Sequence, residues 1–184
     1  MAEIKMENIV ASTTLAKKLD LEKIAQSSED TKYEHEKFPG LIYRLSNPKA
    51  AVLLFRNGKA NITGAKSIEG IYNVVDIIVK KLRMLGADVF KNKDIKIVIQ
   101  NMVAISDLGA KIDLNEVAMS LGLENVEYEP EQFPGLVYRV EKSKTVILLF
   151  ASGKIVCTGA RRIKDLLEVV EKLSEKLTFS GFLH

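Results

Sequence analysis

The sequence predicts an α+β fold made from one unit used twice, a pseudo-twofold arrangement with an antiparallel sheet and its long helices on one side. Three observations carry this expectation. The chain repeats itself at a nearly constant offset, each copy holds closely spaced strand signals joined by hairpin-type turns, and each copy ends in one long amphipathic segment.

The repeat comes first because it organises every element. Residues 38–66 read FPGLIYRLSNPKAAVLLFRNGKANITGAK and residues 133–161 read FPGLVYRVEKSKTVILLFASGKIVCTGAR, an ungapped offset of 95 with about half the positions identical. Upstream, ENIVASTTLAKKLDLEKIA matches QNMVAISDLGAKIDLNEVA at an offset of 93. The division is therefore 1–92 for the first repeat and 93–184 for the second, within one intertwined structural unit. Two copies are too few for a solenoid, which stacks three or more. A single duplication favours a pseudo-symmetric object, and such objects suit pseudo-symmetric ligands, duplex nucleic acid among them.

Within the first copy, Met6–Thr14 is expected to be extended. Asp20 is a suitable N-cap for a short helix from Leu21 to about Ser27. Leu41–Leu45, Ala51–Phe55 and Lys59–Thr63 are expected strands, the last two joined by Asn57-Gly58, a strong hairpin signal. Ser67 then caps a long helix with apolar positions Ile68, Ile71, Val75, Ile78, Leu82 and Leu85, and Gly86 ends it. The second copy repeats this with Asp113 as cap, Ser152-Gly153 as turn and a final helix over about Ile163–Leu177. Its stripe is Ile163, Leu166, Leu167, Val170, Leu173 and Leu177.

Composition excludes several classes of function. Of 184 residues, 47% are hydrophobic and 28% charged, which describes a soluble globular chain. No apolar run approaches the roughly 20 residues of a membrane span, and the N-terminus lacks a basic segment followed by an apolar one. One cysteine, Cys157, forms no internal disulfide, and two histidines, His35 and His184, are too few for a His-rich metal site. The net charge of +3 does not by itself demand a nucleic-acid partner. It is unevenly spread: residues 1–92 carry +4 and residues 93–184 carry −1.

The strands do not alternate as a sheet covered on one face should. Ala51 to Phe55 are all apolar, as are Val146 to Phe150, and both faces of Ile97–Val103 are largely apolar. Tight hairpins place both long helices on the same side, so a broad apolar face stays bare. By strand parity that face carries Leu53 and Phe55, with Asn57, Lys59, Asn61 and Thr63 beyond the turn. The second copy offers Leu148, Phe150, Ser152, Lys154, Val156 and Thr158. The first strands add Asn8, Val10 and Ser12, and Asn101, Val103 and Ile105. The set mixes apolar, amide and hydroxyl groups and lacks the acidic, His or Cys cluster that chemistry needs. The opposite parity puts Cys157 under the helices as an inert small hydrophobe. A second copy of the chain is an alternative cover, so a homodimer of the free protein stays open.

The ordered motifs FPGL-(I/V)-YR, LLF-x-x-GK and TGA(K/R), twice over and each preceded by N-(I/M)-V, resemble the TATA-box-binding protein family across essentially the whole chain. The FPG form of the first copy, and the short stretch before the first strand, resemble its archaeal members. The resemblance implies a saddle, a curved antiparallel sheet with helices on the convex side. It also implies a general transcription initiation factor that binds and bends A/T-rich (TATA-box) promoter DNA through the minor groove and recruits transcription factor B and RNA polymerase. The implied place is the cytoplasm, on the chromosome, or the nucleus for a eukaryotic source. No membrane, metal or cofactor is implied.

By the same resemblance, Phe38 with Phe55, and Phe133 with Phe150, match wedging pairs that unstack base steps. Asn8 and Asn101 match central groove-reading asparagines, with Thr63 and Thr158 beside them. Val10, Val103, Leu53, Leu148 and Val156 match apolar groove contacts. Arg44, Arg139, Lys59, Lys154, Asn57 and Ser152 match phosphate-contacting positions. The mirror symmetry breaks at Asn61 opposite Val156, at Arg56 opposite Ala151 and, more mildly, at Asn57 opposite Ser152. These breaks bear on orientation along DNA. In the acidic run Glu124, Glu127, Glu129, Glu131, the EPE segment matches the dock for transcription factor B, which gives that role to Glu129 and Glu131. The first copy has KYEHEKF there, with Lys32 and Lys37.

Two rival classes remain on the residues alone. An enzyme is disfavoured, because Gly58-Lys59 and Thr63-Gly64-Ala65-Lys66 have neither the spacing nor the order of a phosphate-binding loop, and no Ser/His/Asp or Cys/His set can be assembled. A protein- or lipid-binding module using the bare apolar face is the alternative. Salt dependence separates it from a DNA-binding function.

Overall fold

A computed structural model describes residues 3–183; Met1, Ala2 and His184 lie outside it. The described chain divides into two compact units. One is Asn8–Gln100 and the other is formed by the described residues on either side of it.

Around the first unit run strand β1 (Lys5–Thr14), helix α1 (Leu21–Gln26), strands β2 (Thr31–Lys32), β3 (Leu41–Ser46), β4 (Lys49–Leu54) and β5 (Lys59–Ala65), and helix α2 (Ile68–Met84). The strands are antiparallel in the order β2-β3-β4-β5-β1. The expected caps are in place. The Asp20 carboxylate accepts the Lys23 N–H at 3.0 Å, and Ser67 Oγ accepts the Gly70 N–H at 2.9 Å. Past the end of α2, Ala87 N–H donates to Leu82 O at 3.1 Å, so the chain turns off at Gly86 as expected. The Asn57-Gly58 turn closes with Gly58 N–H on Phe55 O at 2.9 Å.

The second unit repeats the plan with β6 (Val98–Asp107), α3 (Leu114–Leu121), β7 (Val126–Glu127), β8 (Leu136–Arg139), β9 (Val146–Leu149), β10 (Lys154–Ala160) and α4 (Ile163–Phe179). The order here is β6-β10-β9-β8-β7, again antiparallel. Asp113 caps α3 through the Asn115 N–H at 2.8 Å. The position matching Ser67 is Arg162. It offers no cap and instead ion-pairs with Asp165 at 2.6 Å across the first turn of α4.

Each core lies between one sheet face and the helices. Ile71, Val74, Val75, Ile78, Val79 and Leu82 of α2 are buried together with Val52, Leu54, Ala60 and Ile62 of the sheet. In the second unit Leu166, Val169, Val170, Leu173 and Leu177 are buried together with Ile147, Leu149, Ile155 and Cys157. Burial pushes the Cys157 thiol pKa up to about 12.

The structure corrects the expected stripes at their ends. Ile68 and Ile163 are the first helical residues, where side chains lean back towards the N-terminus, and they are 41% and 39% exposed. The buried face is instead widened by Val74, Val79 and Val169, giving the broad stripe of a helix lying on a sheet. Leu85 and Leu167 are half-buried. The strand expected at Ala51–Phe55 runs Lys49–Leu54, and the two-residue strands β2 and β7 had no sequence signal because they are too short to show a period.

Candidate nucleic-acid interface

The sheet face turned away from the helices is uncovered in each unit. In the first it carries Asn8, Val10 and Ser12 of β1, Asn61 and Thr63 of β5, and Ala51 and Leu53 of β4, all half-buried or exposed. In the second it carries Asn101, Val103 and Ile105 of β6, Val156 and Thr158 of β10, and Val146 and Leu148 of β9. The parity expected from the sequence therefore holds on every long strand. Ile42 and Val137, on β3 and β8, share the pattern. Sequence reasoning passed over them, although they stand two residues before Arg44 and Arg139 and so have the same parity.

Each unit holds one asparagine in a fixed pose. The Asn8 Oδ1 accepts the Gly64 N–H at 2.7 Å, and its Nδ2 donates to Thr63 Oγ1 at 3.1 Å. The Asn101 Oδ1 accepts the Gly159 N–H at 2.8 Å, and its Nδ2 donates to Thr158 Oγ1 at 3.1 Å. A backbone N–H on the oxygen settles which end of the amide is which. The second hydrogen on each Nδ2 is left to donate outward.

The pose depends on a strand irregularity within the TGA motif. Register slips between Ile9 and Ala11 against β5, and between Thr158 and Ala160 against β6. One extra residue sits in each bulge, and it is Gly64 or Gly159, with φ of 102° and 95°. At Gly159 a side chain is excluded twice over. The backbone is left-handed, and a Cβ on Gly159 would meet Lys144 O at 2.3 Å. The bulge aims the glycine N–H at the asparagine.

The four expected phenylalanines form two pairs. Phe38 and Phe55 have ring centroids 6.0 Å apart at 68°, and Phe133 and Phe150 are 5.9 Å apart at 69°. These are edge-to-face pairs. Phe38 and Phe133 are each 39% exposed, unlike core aromatics. The rings sit over Gly40 and Gly135, where an added Cβ would lie 2.7 Å from the nearest ring carbon in each case. The FPG motif thus supplies both a ring and the space beneath it, a role for its glycine that sequence reasoning missed.

Charged residues frame these faces. Lys59 and Lys154 are exposed just past the turns, where Asn57 Oδ1 and Ser152 Oγ accept their N–H groups at 3.1 and 3.4 Å. Arg44 is exposed on β3. Its counterpart Arg139 is engaged by Glu127, with Nη2 2.9 Å and Nε 3.2 Å from the same oxygen. Arg56 pairs with Glu22 and donates to the Tyr33 hydroxyl at 3.1 Å, so the symmetry break at Arg56 is tied to its own unit. A groove on the second unit's uncovered face is lined by Phe150, Ser152, Lys154, Val156 and Ile105 together with Glu3 and Lys5. The last two lay outside the expected set.

The acidic segment has the same turn in both copies but different charge. Phe38 N–H donates to Glu34 O and Phe133 N–H to Glu129 O, each at 3.0 Å. Glu34 is neutralised by Lys32 at 3.2 Å and Lys37 at 2.5 Å. Those cations, Lys37 first, hold its carboxyl below the usual range. In the second copy these lysines are replaced by Glu127 and Gln132, and Glu129 and Glu131 are exposed.

Among the described residues no helix is long and apolar enough to cross a membrane. The family model described as transcription factor TFIID, or TATA-binding protein, matches residues 3–85 and again 96–178. The TATA-box-binding protein of Picrophilus torridus is 55% identical over 183 residues, covering 100% of this chain and 98% of that protein. That of Archaeoglobus fulgidus is 47% identical, covering 98% of each. Among solved structures, Methanococcus jannaschii TBP superposes with a TM-score of 0.87 at 46% identity, covering 96% of this chain and 98% of that one. Two matches to one family model, and archaeal relatives alike along their whole length, show that this chain belongs to the TATA-box-binding protein family.

Proposed function

We propose that the two uncovered faces together grip one A/T-rich promoter element from the minor groove and bend it, one aromatic pair opening a step at each end. The observation that carries this reading is the twofold occurrence of the same device: a pinned asparagine with an outward N–H, and an exposed ring pair. In the minor groove A·T pairs offer acceptors only, and guanine adds an amino group. Asn8 and Asn101 donate to the acceptors. Val10, Val103, Leu53, Leu148 and Val156 press on the groove floor, where an amino group finds no partner. Phe38 with Phe55, and Phe133 with Phe150, wedge into base steps, and the unstacking cost of a few kcal/mol is offset by contact with the bent duplex. Thr63 and Thr158 hold the asparagines and lie near the same base pairs.

Arg44, Arg139, Lys59 and Lys154 neutralise phosphates, with Asn57 and Ser152 beside them. Arg139 exchanges Glu127 for phosphate on binding. The exposed Glu129 and Glu131 dock the basic surface of transcription factor B, and RNA polymerase follows. The neutralised Glu34 segment of the first copy does not compete for that partner. The protein then acts on the chromosome as an initiation factor and performs no chemistry.

Fluorescence anisotropy on a short TATA-containing duplex and a G·C-substituted control, over a salt series, tests the reading. Four phosphate-neutralising side chains predict a log–log salt slope of about −3.6. Tight, A/T-selective binding that Phe150→Ala weakens is the expected result. Equal, weak binding to both duplexes overturns it and leaves the bare faces to an apolar ligand or a second copy.

A further inference from the structure

The two uncovered faces match closely except along one row. In the first unit Asn61 stands opposite Leu53 on one side and Ser12 on the other. In the second, Val156 stands opposite Leu148 and Ile105. One row is thus Leu–Asn–Ser and the other Leu–Val–Ile. The Asn61 side chain is exposed, and Ser12 Oγ accepts an N–H from Gln100 Nε2 at 2.8 Å, which leaves it one lone pair to offer. On both faces the row lies between the pinned asparagine cluster and the turn beside the ring pair, so it faces bases and not the rim.

The chemistry of the two rows differs on one point. A guanine amino group pressed against Val156 and Ile105 loses its water and gains no acceptor, which is costly. Against Asn61 it meets an amide oxygen, with the Ser12 hydroxyl beside it. The same amide, turned over, donates to the acceptors of an A·T pair. We infer that Asn61, supported by Ser12, makes one half of the DNA site tolerant of a guanine-type amino group at the pair facing this row, while Val156 and Ile105 keep the other half restricted to A·T. This rests on the minor-groove reading above. It also orients the protein: a site with one G·C pair in that position is bound with the first unit over it.

A self-orienting competition tests this. A self-complementary A/T duplex is prepared with 2,6-diaminopurine replacing adenine at successive positions, which adds only the minor-groove amino group. One series carries the change in one half and a second carries it in both. At the facing position, the wild type is expected to bind the singly substituted duplex within about 3-fold of the parent, because it can place Asn61 over the change. The doubly substituted duplex should bind about 10-fold or more weakly, the discrimination of a single wrong pair. Asn61→Val should lose about 10-fold on the single substitution, and Val156→Asn should tolerate the double one within about 3-fold. Both side chains lie on the open face, and thermal unfolding verifies that the variants fold. Equal losses for wild type and Asn61→Val at every position overturn the inference. Failure of the wild type to prefer the parent duplex over a G·C duplex overturns the minor-groove reading itself and is scored separately.

Discussion

Gly135→Ala separates a wedging ring from a core ring. Gly135 is buried but its backbone is not left-handed, so space alone opposes a side chain. A Cβ there would lie 2.7 Å from Phe133 Cε1, closer than such contacts occur, and a tight 3.0 Å from Phe150 Cε1. The Phe133 ring must swing away, and at 39% exposure it has open space to enter. The fold loses at most the geometric part of one aromatic pair, about 0.5–1.5 kcal/mol. Replacing glycine by alanine returns about 0.4–1 kcal/mol by restricting the unfolded chain. Stability should therefore change by less than about 1 kcal/mol. DNA binding should change far more, because one of the two wedges no longer meets its base step in a ready pose. Losing about 1.4–2.8 kcal/mol of wedge contact is a 10- to 100-fold loss of affinity. Thermal unfolding, anisotropy on a TATA duplex and energy transfer between the duplex ends measure stability, affinity and bend on one sample. Unchanged affinity and bend would falsify the wedge role of Phe133. A loss of binding that only tracks unfolding would return the ring to an ordinary packing role.

Three further outcomes are expected. Asn101→Asp keeps an acceptor for the Gly159 N–H but has nothing to donate, and it sets a negative charge towards DNA, so TATA affinity should fall on the order of 100-fold with little change in unfolding temperature. The Glu129→Lys, Glu131→Lys double variant should bind TATA DNA as the wild type does and fail to recruit transcription factor B, read by mobility shift; recruitment at wild-type level refutes the assigned dock. Glu34 should titrate below the usual carboxylate range by NMR, and Lys37→Gln should move it back up. Because its folded pKa is lowered, its contribution is present above the unfolded value of about 4.3 and is lost as pH falls through the folded one.

Much of the fold was legible because its signals are local. Asp20, Ser67 and Asp113 cap the helices they precede, and Asn57-Gly58 and Ser152-Gly153 make the turns, since each needs only a few neighbouring residues. Parity placed Leu53, Asn61 and Thr63 on one face and Cys157 on the other, because a strand has a fixed period of two. The ends of the helical stripes were less legible. Ile68 and Ile163 obey the period of a helix, but whether the first turn lies over the sheet depends on where the sheet stops.

Duplication, apolar patterning and motif order alone established the α+β class, the bare face and the family resemblance, since these are properties of order along the chain. Contacts between residues far apart in sequence were decided only in three dimensions. Asn8 is pinned by Gly64, 56 residues away, and the ring of Phe38 sits over Gly40 against Phe55. Glu127 holds Arg139, whereas the mirrored Lys32 pairs with Glu34, so the first segment is neutralised and the second keeps exposed carboxylates. Hydrogen-bond direction, ring angle and charge pairing depend on distances of a few ångströms across strands, and no one-dimensional pattern carries those distances.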